Sequence, residues 1–271
     1  MSLLLLLRAT LKRPRGGAPA PAQIRAHCAL DGVEPKHVER YKNALGFRGD
    51  AVPVTYYYLL AQRAHLLAML DDAFPLRVAG MIHVANELVE QAPLATGRPV
   101  AIDTVIDIQP PTSSGAIHCV LTSTAAQDGI TIFTCTSRYL KPRAGPGRKA
   151  RTPPATAAAT PNPLASWRLA SADGRKYAAI SGDWNPIHLW NWSARLMGLR
   201  RPIIHGMHTV GKACAGLEAA TGRHIVAISA RFKAPIPLGA VAYLESGVEA
   251  GTFVVTCDGR PAVEGTFTHQ T

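Results

Sequence analysis

Residues Tyr177 to Ala194 read YAAISGDWNPIHLWNWSA, and they place a carboxyl group, Asp183, five residues before an imidazole, His188. These two side-chain types suit proton transfer near neutral pH. Ser181-Gly182-Asp183 and Asn185-Pro186 are turn signals, so both groups belong to one loop bordered by apolar residues. Pro186 stiffens its path, and both side chains can reach one cavity. An Asp and a His in a Gly/Asn/Pro loop can also be plain turn chemistry, so spacing alone leaves catalysis open. His205 and His208, three apart on a helix, could form a metal edge. No third ligand with suitable spacing is apparent, so no metal is expected. His83 reads as a core histidine on an apolar helix, and Trp184, Trp190 and Trp192 as packing around the loop. Cys214 reads as a small buried residue rather than a nucleophile.

The elements around the loop repeat. Apolar positions Val78, Met81, Ile82, Ala85, Leu88 and Val89 fall at helical spacing, which predicts a helix over 76–92 stopped by Pro93. Strands follow over 99–109, 116–127 and 130–140, with Asp128-Gly129 as a hairpin turn. In the second half, 205–221 reads as a helix ending at Gly222, a C-cap residue. Strands follow over 224–234, 241–250, 253–258 and 262–269. A helix laid on an antiparallel sheet, occurring twice, suggests an internal duplication. The segments HVERYKNALG (37–46) and GRKYAAISGD (174–183) extend the parallel.

Lys141 to Pro163 is rich in Pro, Ala, Gly and Thr and reads as a linker. It divides the chain into a first repeat (1–140), a basic linker (141–163) and a second, loop-bearing repeat (164–271). The linker's Lys141, Arg143, Arg148, Lys149 and Arg151 read as a solvated charge run. Leu3 to Leu7 is too short for a signal peptide core or a span of about 20 apolar residues, so membrane contact is not expected. Five widely spaced cysteines, Cys28, Cys119, Cys135, Cys214 and Cys257, fit neither a disulfide framework nor a zinc ribbon and suit a reducing cytoplasm. The formal net charge of +11 favours an anionic partner. Nothing resembles a nucleic-acid module.

The pattern Tyr177-x-x-x-Ser181-Gly182-Asp183-x-Asn185-Pro186-x-His188, with His205-Gly206-Met207 downstream, resembles the signature of the MaoC-like R-specific enoyl-CoA hydratases and 3-hydroxyacyl-thioester dehydratases. Arg231-Phe232-Lys233-Ala234-Pro235 resembles that family's strand after the helix. FPLRVAGMIHVANELVEQAPL (74–94) resembles the degenerate first repeat of two-repeat members. Tyr57 is a departure, standing where related proteins tend to carry proline.

The resemblance implies an α+β fold, the double hot-dog, with two long central helices each wrapped by a curved antiparallel sheet. It implies a hydro-lyase of fatty acid metabolism that needs no cofactor and acts on acyl-CoA or acyl-carrier-protein thioesters. Asp183 and His188 would be the catalytic pair, with His188 at C2 and Asp183 at the C3 oxygen, although which residue handles which proton stays open. The Gly206 N–H would meet the thioester oxygen, as first-turn helix amides can. Ser181 and Asn185 would support the loop, with Asn185 holding it or orienting His188. Arg195, Arg200 and Arg201, with Lys212 nearby, could meet phosphates or an acidic carrier. RGDAVPVTYYYLL (48–60) offers Asp50 but no histidine, which implies one active site per chain, with the first half shaping the acyl tunnel. A homodimer is compatible with this architecture. An acyl thioesterase or a non-catalytic acyl-thioester-binding subunit are the alternatives, since fold does not fix function.

Overall fold

The computed structural model describes residues 23–143 and 163–270. The Leu3–Leu7 run and most of the linker, including Arg148, Lys149 and Arg151, lie outside them.

In chain order the first half runs β1 (Gln23–Leu30), α1 (Pro35–Leu45), α2 (Tyr57–Leu70), β2 (Ile82–Glu90), β3 (Val100–Ile108), β4 (Ile117–Gln127) and β5 (Ile130–Lys141). The second half runs β6 (Ala165–Arg168), α3 (Asp173–Ser181), α4 (Asn191–Leu196), α5 (Gly206–Thr221), β7 (Ile225–Phe232), β8 (Val241–Ser246), β9 (Thr252–Cys257) and β10 (Arg260–His269). All strands pair antiparallel in one sheet, ordered β1-β3-β4-β5-β2-β7-β10-β9-β8-β6. Each half therefore has the same layout: its first strand at the outer edge, its second at the centre. The expected two sheets are continuous, because β2 pairs with β7 from Ala85↔Arg231 to Val89↔Ala227.

The long helices lie against this sheet, α2 on β1 and β3 to β5, α5 on β7 and β10. Both are buried nearly all round, α5 from Met207 to Leu217 and α2 from Tyr57 to Met69. The expected C-cap holds: Gly222 is left-handed at φ 68°, and its N–H bonds Glu218 O. Asp128 and Gly129 both have positive φ, as a tight hairpin turn requires. The shorter α1 shows the amphipathic spacing that α2 and α5 lack. Pro35 opens it, Val38, Tyr41 and Leu45 face inward, and Gly46 at φ 91° ends it. It packs across α3 and α5, tying the halves together.

The helix expected over 76–92 is not there. Ile82–Glu90 is strand β2, and the first-half helix is Tyr57–Leu70. The buried face of β2 includes Asn86, whose amide donates to Ser137 Oγ at 2.9 Å, so the apolar alternation of a strand is interrupted. Leaving that amide unpaired would cost about 1–3 kcal/mol. Conversely, α2 is buried on nearly every face and its polar residues Gln62, Arg63 and His65 are scattered around it, so it has little helical period to read. His83, expected on a helix, sits on β2.

Candidate active site

Helix α3 ends where Gly182 turns left-handed at φ 76° and its N–H bonds Ala178 O at 2.8 Å. The chain then enters the Asp183–Asn185 loop and a short 3-10 turn, Pro186–His188. Each turn residue acts as its type predicts. Asn185 Oδ1 accepts from Ile187 N, capping the turn that Pro186 opens. Asp183 N donates to Ser181 Oγ at 3.2 Å, and Asp183 Oδ1 accepts from Asn185 N at 3.1 Å. Asn185 thus holds the loop, the first of its two expected roles. Gly174 lets α3 lie directly on this turn, since a Cβ there would collide with the His188 carbonyl.

The chain returning before α5 grips the loop. Ile203 N donates to Ile187 O at 3.1 Å, and His188 Nδ1 meets Ile203 O at 2.8 Å. A carbonyl only accepts, so neutral His188 carries its proton on Nδ1 and keeps a lone pair on Nε2. In the same way His205 Nε2 donates to the Asp183 backbone carbonyl at 2.9 Å. His205 is the N-cap residue of α5, so this bond docks the Asp183 loop on the start of the long helix. The rings of His188 and His205 stack at 3.7 Å.

His188 is 7% exposed and His205 3%. Burial lowers the His188 pKa from the usual 6.5, while the Asp183 charge and the Ile203 carbonyl hold it up. Burial and the neighbouring His188 push His205 down to about 3. Both imidazoles are neutral at neutral pH.

Asp183, His188 and His205 bring one ligand-type atom each within 4.8 Å of one another. This trio is not the His205/His208 edge weighed from the sequence, since His208 is not part of it. These three could hold a metal ion. One nitrogen of each ring is already committed to a carbonyl, however, and face-to-face rings aim their in-plane lone pairs side by side rather than at one point. His208, the other half of the expected metal edge, packs edge-on to Tyr177 instead.

Gly206 opens α5, and helix geometry leaves its N–H without an acceptor inside the helix. A Cβ there would lie 2.6 Å from the Phe232 ring, so glycine is required by packing as well. Arg195, Arg200 and Arg201 are exposed around and after α4. Lys212 lies apart from them in one respect: it lines a cavity of about 270 Å³ with Tyr177, His208, Asp173 and Lys176, and none of the three arginines does. Arg175 was not singled out by sequence, yet its Nη1 donates to Leu189 O at 2.9 Å and so fastens the far side of the Pro186–His188 turn. Neither it nor the Ile203 carbonyl left a readable signal; His205 did, as the first residue of His205-Gly206-Met207.

The model of one family, the MaoC-like domain, matches residues 144–257, which include the Asp183–His188 loop and α5. This stretch is therefore similar to the MaoC-like domain. The chain is 29% identical over 213 residues to 3-hydroxyacyl-thioester dehydratase X of Mycobacterium tuberculosis, covering 78% of this chain and 76% of that protein. The crystal structure of HtdX from that organism superposes with a TM-score of 0.73 at 24% identity, covering 90% of this chain and 100% of that one. A second M. tuberculosis protein, described as a double hot-dog fold, superposes with a TM-score of 0.60 at 12% identity, covering 89% of this chain and 95% of that one. The fold is the expected α+β double hot-dog, and the MaoC-like hydratases and dehydratases are the family to which this chain is related. Among the described residues no helix is long and apolar enough to cross a membrane, and all five cysteines are free.

Proposed function

We propose that this chain is an R-specific 3-hydroxyacyl-thioester dehydratase, or in reverse an enoyl-thioester hydratase, with one active site built from Asp183, His188 and the start of α5. The observation that carries this reading is the geometry of the pair. A buried, neutral imidazole with its Nε2 lone pair uncommitted stands within 4.8 Å of a carboxyl group. The MaoC-like relationship points to the same chemistry.

In the elimination, His188 Nε2 takes the C2 proton while Asp183, in its protonated form, gives its proton to the departing C3 hydroxyl, and the proton gained by His188 then returns to the Asp183 carboxylate to complete the cycle. The C2–H and C3–O bonds break, the C2=C3 double bond forms, and water leaves. Charge grows on the thioester oxygen meanwhile, where the Gly206 N–H and the α5 dipole meet it. Ser181 and Asn185 hold the loop. His205 ties Asp183 to the helix, so the pair and the oxyanion donor keep one geometry.

The two-repeat division at 141–163 makes the second repeat the reacting one and the first repeat the acyl-chain wall. The first half's short connection from α1 to α2 carries Asp50 but no histidine. The exposed Arg195, Arg200 and Arg201 are suited to the phosphates of coenzyme A or an acidic acyl carrier protein.

Crotonyl-CoA tests the reaction. Loss of the enoyl absorbance with the thioester intact, giving (R)-3-hydroxybutyryl-CoA, is the expected result. Release of free thiol without hydration would identify a thioesterase instead.

A further inference from the structure

The first half contains a cluster that a simple hydrocarbon wall does not need. Tyr58, Gln62 and His65 fall on one stripe of α2, at i, i+4 and i+7. Tyr58 and His65 face His83 on β2 and Tyr139 on β5, and Gln62 lies between them on the stripe. The Tyr58 hydroxyl lies 3.3 Å from the Tyr139 hydroxyl and 3.4 Å from His83 Nδ1. The His83 ring stacks on Tyr139 at 4.7 Å, and His65 meets Tyr139 edge-on at 6.4 Å.

Four polar atoms here have no hydrogen-bond partner among the described residues: both ring nitrogens of His65, His83 Nε2 and Gln62 Oε1. His65 is 0% exposed. Buried polar atoms are nearly always paired, and leaving one unpaired is unfavourable. Four such atoms in one cluster are unusual and mark it as a candidate site for a polar group.

The cluster also adjoins the reacting end. The His83 ring packs on Phe232 at 5.0 Å, and Phe232 is the residue against which Gly206 closes. The charge of Asp183 reaches far enough to raise the pKa of both Tyr58 and Tyr139. Gly206, Phe232, His83 and Tyr58 of the α2 stripe thus follow one another as successive neighbours.

We propose that Tyr58, Gln62, His65, His83 and Tyr139 form a polar far end to the acyl site, which takes an uncharged oxygen function, a hydroxyl or keto group, borne on the distal part of the acyl chain. This rests on the dehydratase reading above. The chemistry selects an uncharged group. Burial holds His65 and His83 down to about 3, so they offer neutral donors and acceptors rather than a charge. Among the described residues no cation lies in the cluster to neutralise a carboxylate. A site built to hydrogen-bond an oxygen discriminates strongly against a chain lacking it, because its own polar atoms then stay unpaired.

The test compares two medium-chain 2-enoyl-CoA thioesters of equal length, one with a keto group near its far end and one plain alkyl, with crotonyl-CoA as the short reference. Wild type is expected to favour the keto chain by about 10-fold or more in kcat/KM. His65→Leu is expected to lose that preference, keep crotonyl-CoA turnover unchanged and melt at or above the wild-type temperature, since it removes unpaired buried nitrogens. Gln62→Leu repeats the test at a less buried position should His65→Leu not fold. Hydration of crotonyl-CoA with no preference between the longer chains overturns this inference alone. Absence of crotonyl-CoA hydration overturns the reaction and this inference with it.

Discussion

His188 is the residue whose chemistry is most constrained. Its Nδ1 proton is held by the Ile203 carbonyl and its ring is almost fully buried. Burial disfavours the imidazolium, so the basic form survives to a lower pH than in a free histidine. In the dehydration direction the acid limb of the kcat/KM profile is therefore expected below pH 6.5, measured with (R)-3-hydroxybutyryl-CoA. An acid limb centred above 6.5 would assign the base to another group. At this scale the sequence was legible where residue types carry the geometry. Gly182, Asn185 and Pro186 turn, cap and stiffen the loop as their chemistry dictates. The Ile203 carbonyl was not legible, because a backbone acceptor has no residue type. His205 was visible as a member of His205-Gly206-Met207, but its position against Asp183 comes from the docking of loop on helix.

At the scale of elements, the Pro186–His188 turn is held between α3 and the approach to α5. Gly174 is where α3 touches it. Gly174→Ala places a methyl against the His188 carbonyl. Such overpacking costs about 1–3 kcal/mol. The variant is expected to melt lower and to lose kcat through displacement of His188. Retention of both wild-type values would mean that the turn is not seated on α3. The helix α5 and most strands were readable from period and turn residues. The exchange of β2 for a helix has a definite cause: a buried Asn86 broke the strand's alternation, while Met81, Ile82, Ala85, Leu88 and Val89 happened to fit a helical period. The nearly all-round burial of α2 left it little period to read.

At the scale of the whole molecule, the two halves share one sheet through β2 and β7, and a charged cluster sits beside this seam. His224 Nδ1 lies 3.0 Å from Glu218 and its Nε2 3.4 Å from Glu90 on β2, which also accepts from the Tyr57 hydroxyl. Hydrogen bonds to the two carboxylates raise the His224 pKa to about 9. A pKa raised on folding stabilises the native state fully below the unfolded value near 6.5, and that contribution is lost as pH rises through the folded value. The melting temperature is expected to fall between pH 6.5 and 9 in wild type, and this component is expected to vanish in His224→Gln. Identical profiles for the two proteins would remove the cluster from the seam's energetics. The duplication was visible in the sequence through the paired segments 37–46 and 174–183, which fall on α1 and α3, and through the strands of each half, although the helix read over 76–92 is strand β2. The edge-to-edge pairing of the halves was not, since no residue pattern announces which strand of one repeat meets which of the other.

The central claim is that Asp183 and His188 act together on a thioester held at the start of α5. The most direct measurement is the rate of crotonyl-CoA hydration by wild type and by Asp183→Asn, which keeps the side chain's size and its acceptor for Asn185 N but cannot exchange a proton. The account predicts turnover by wild type and a loss of at least about 100-fold in the variant, with its melting temperature little changed. Near-normal turnover by Asp183→Asn would contradict it.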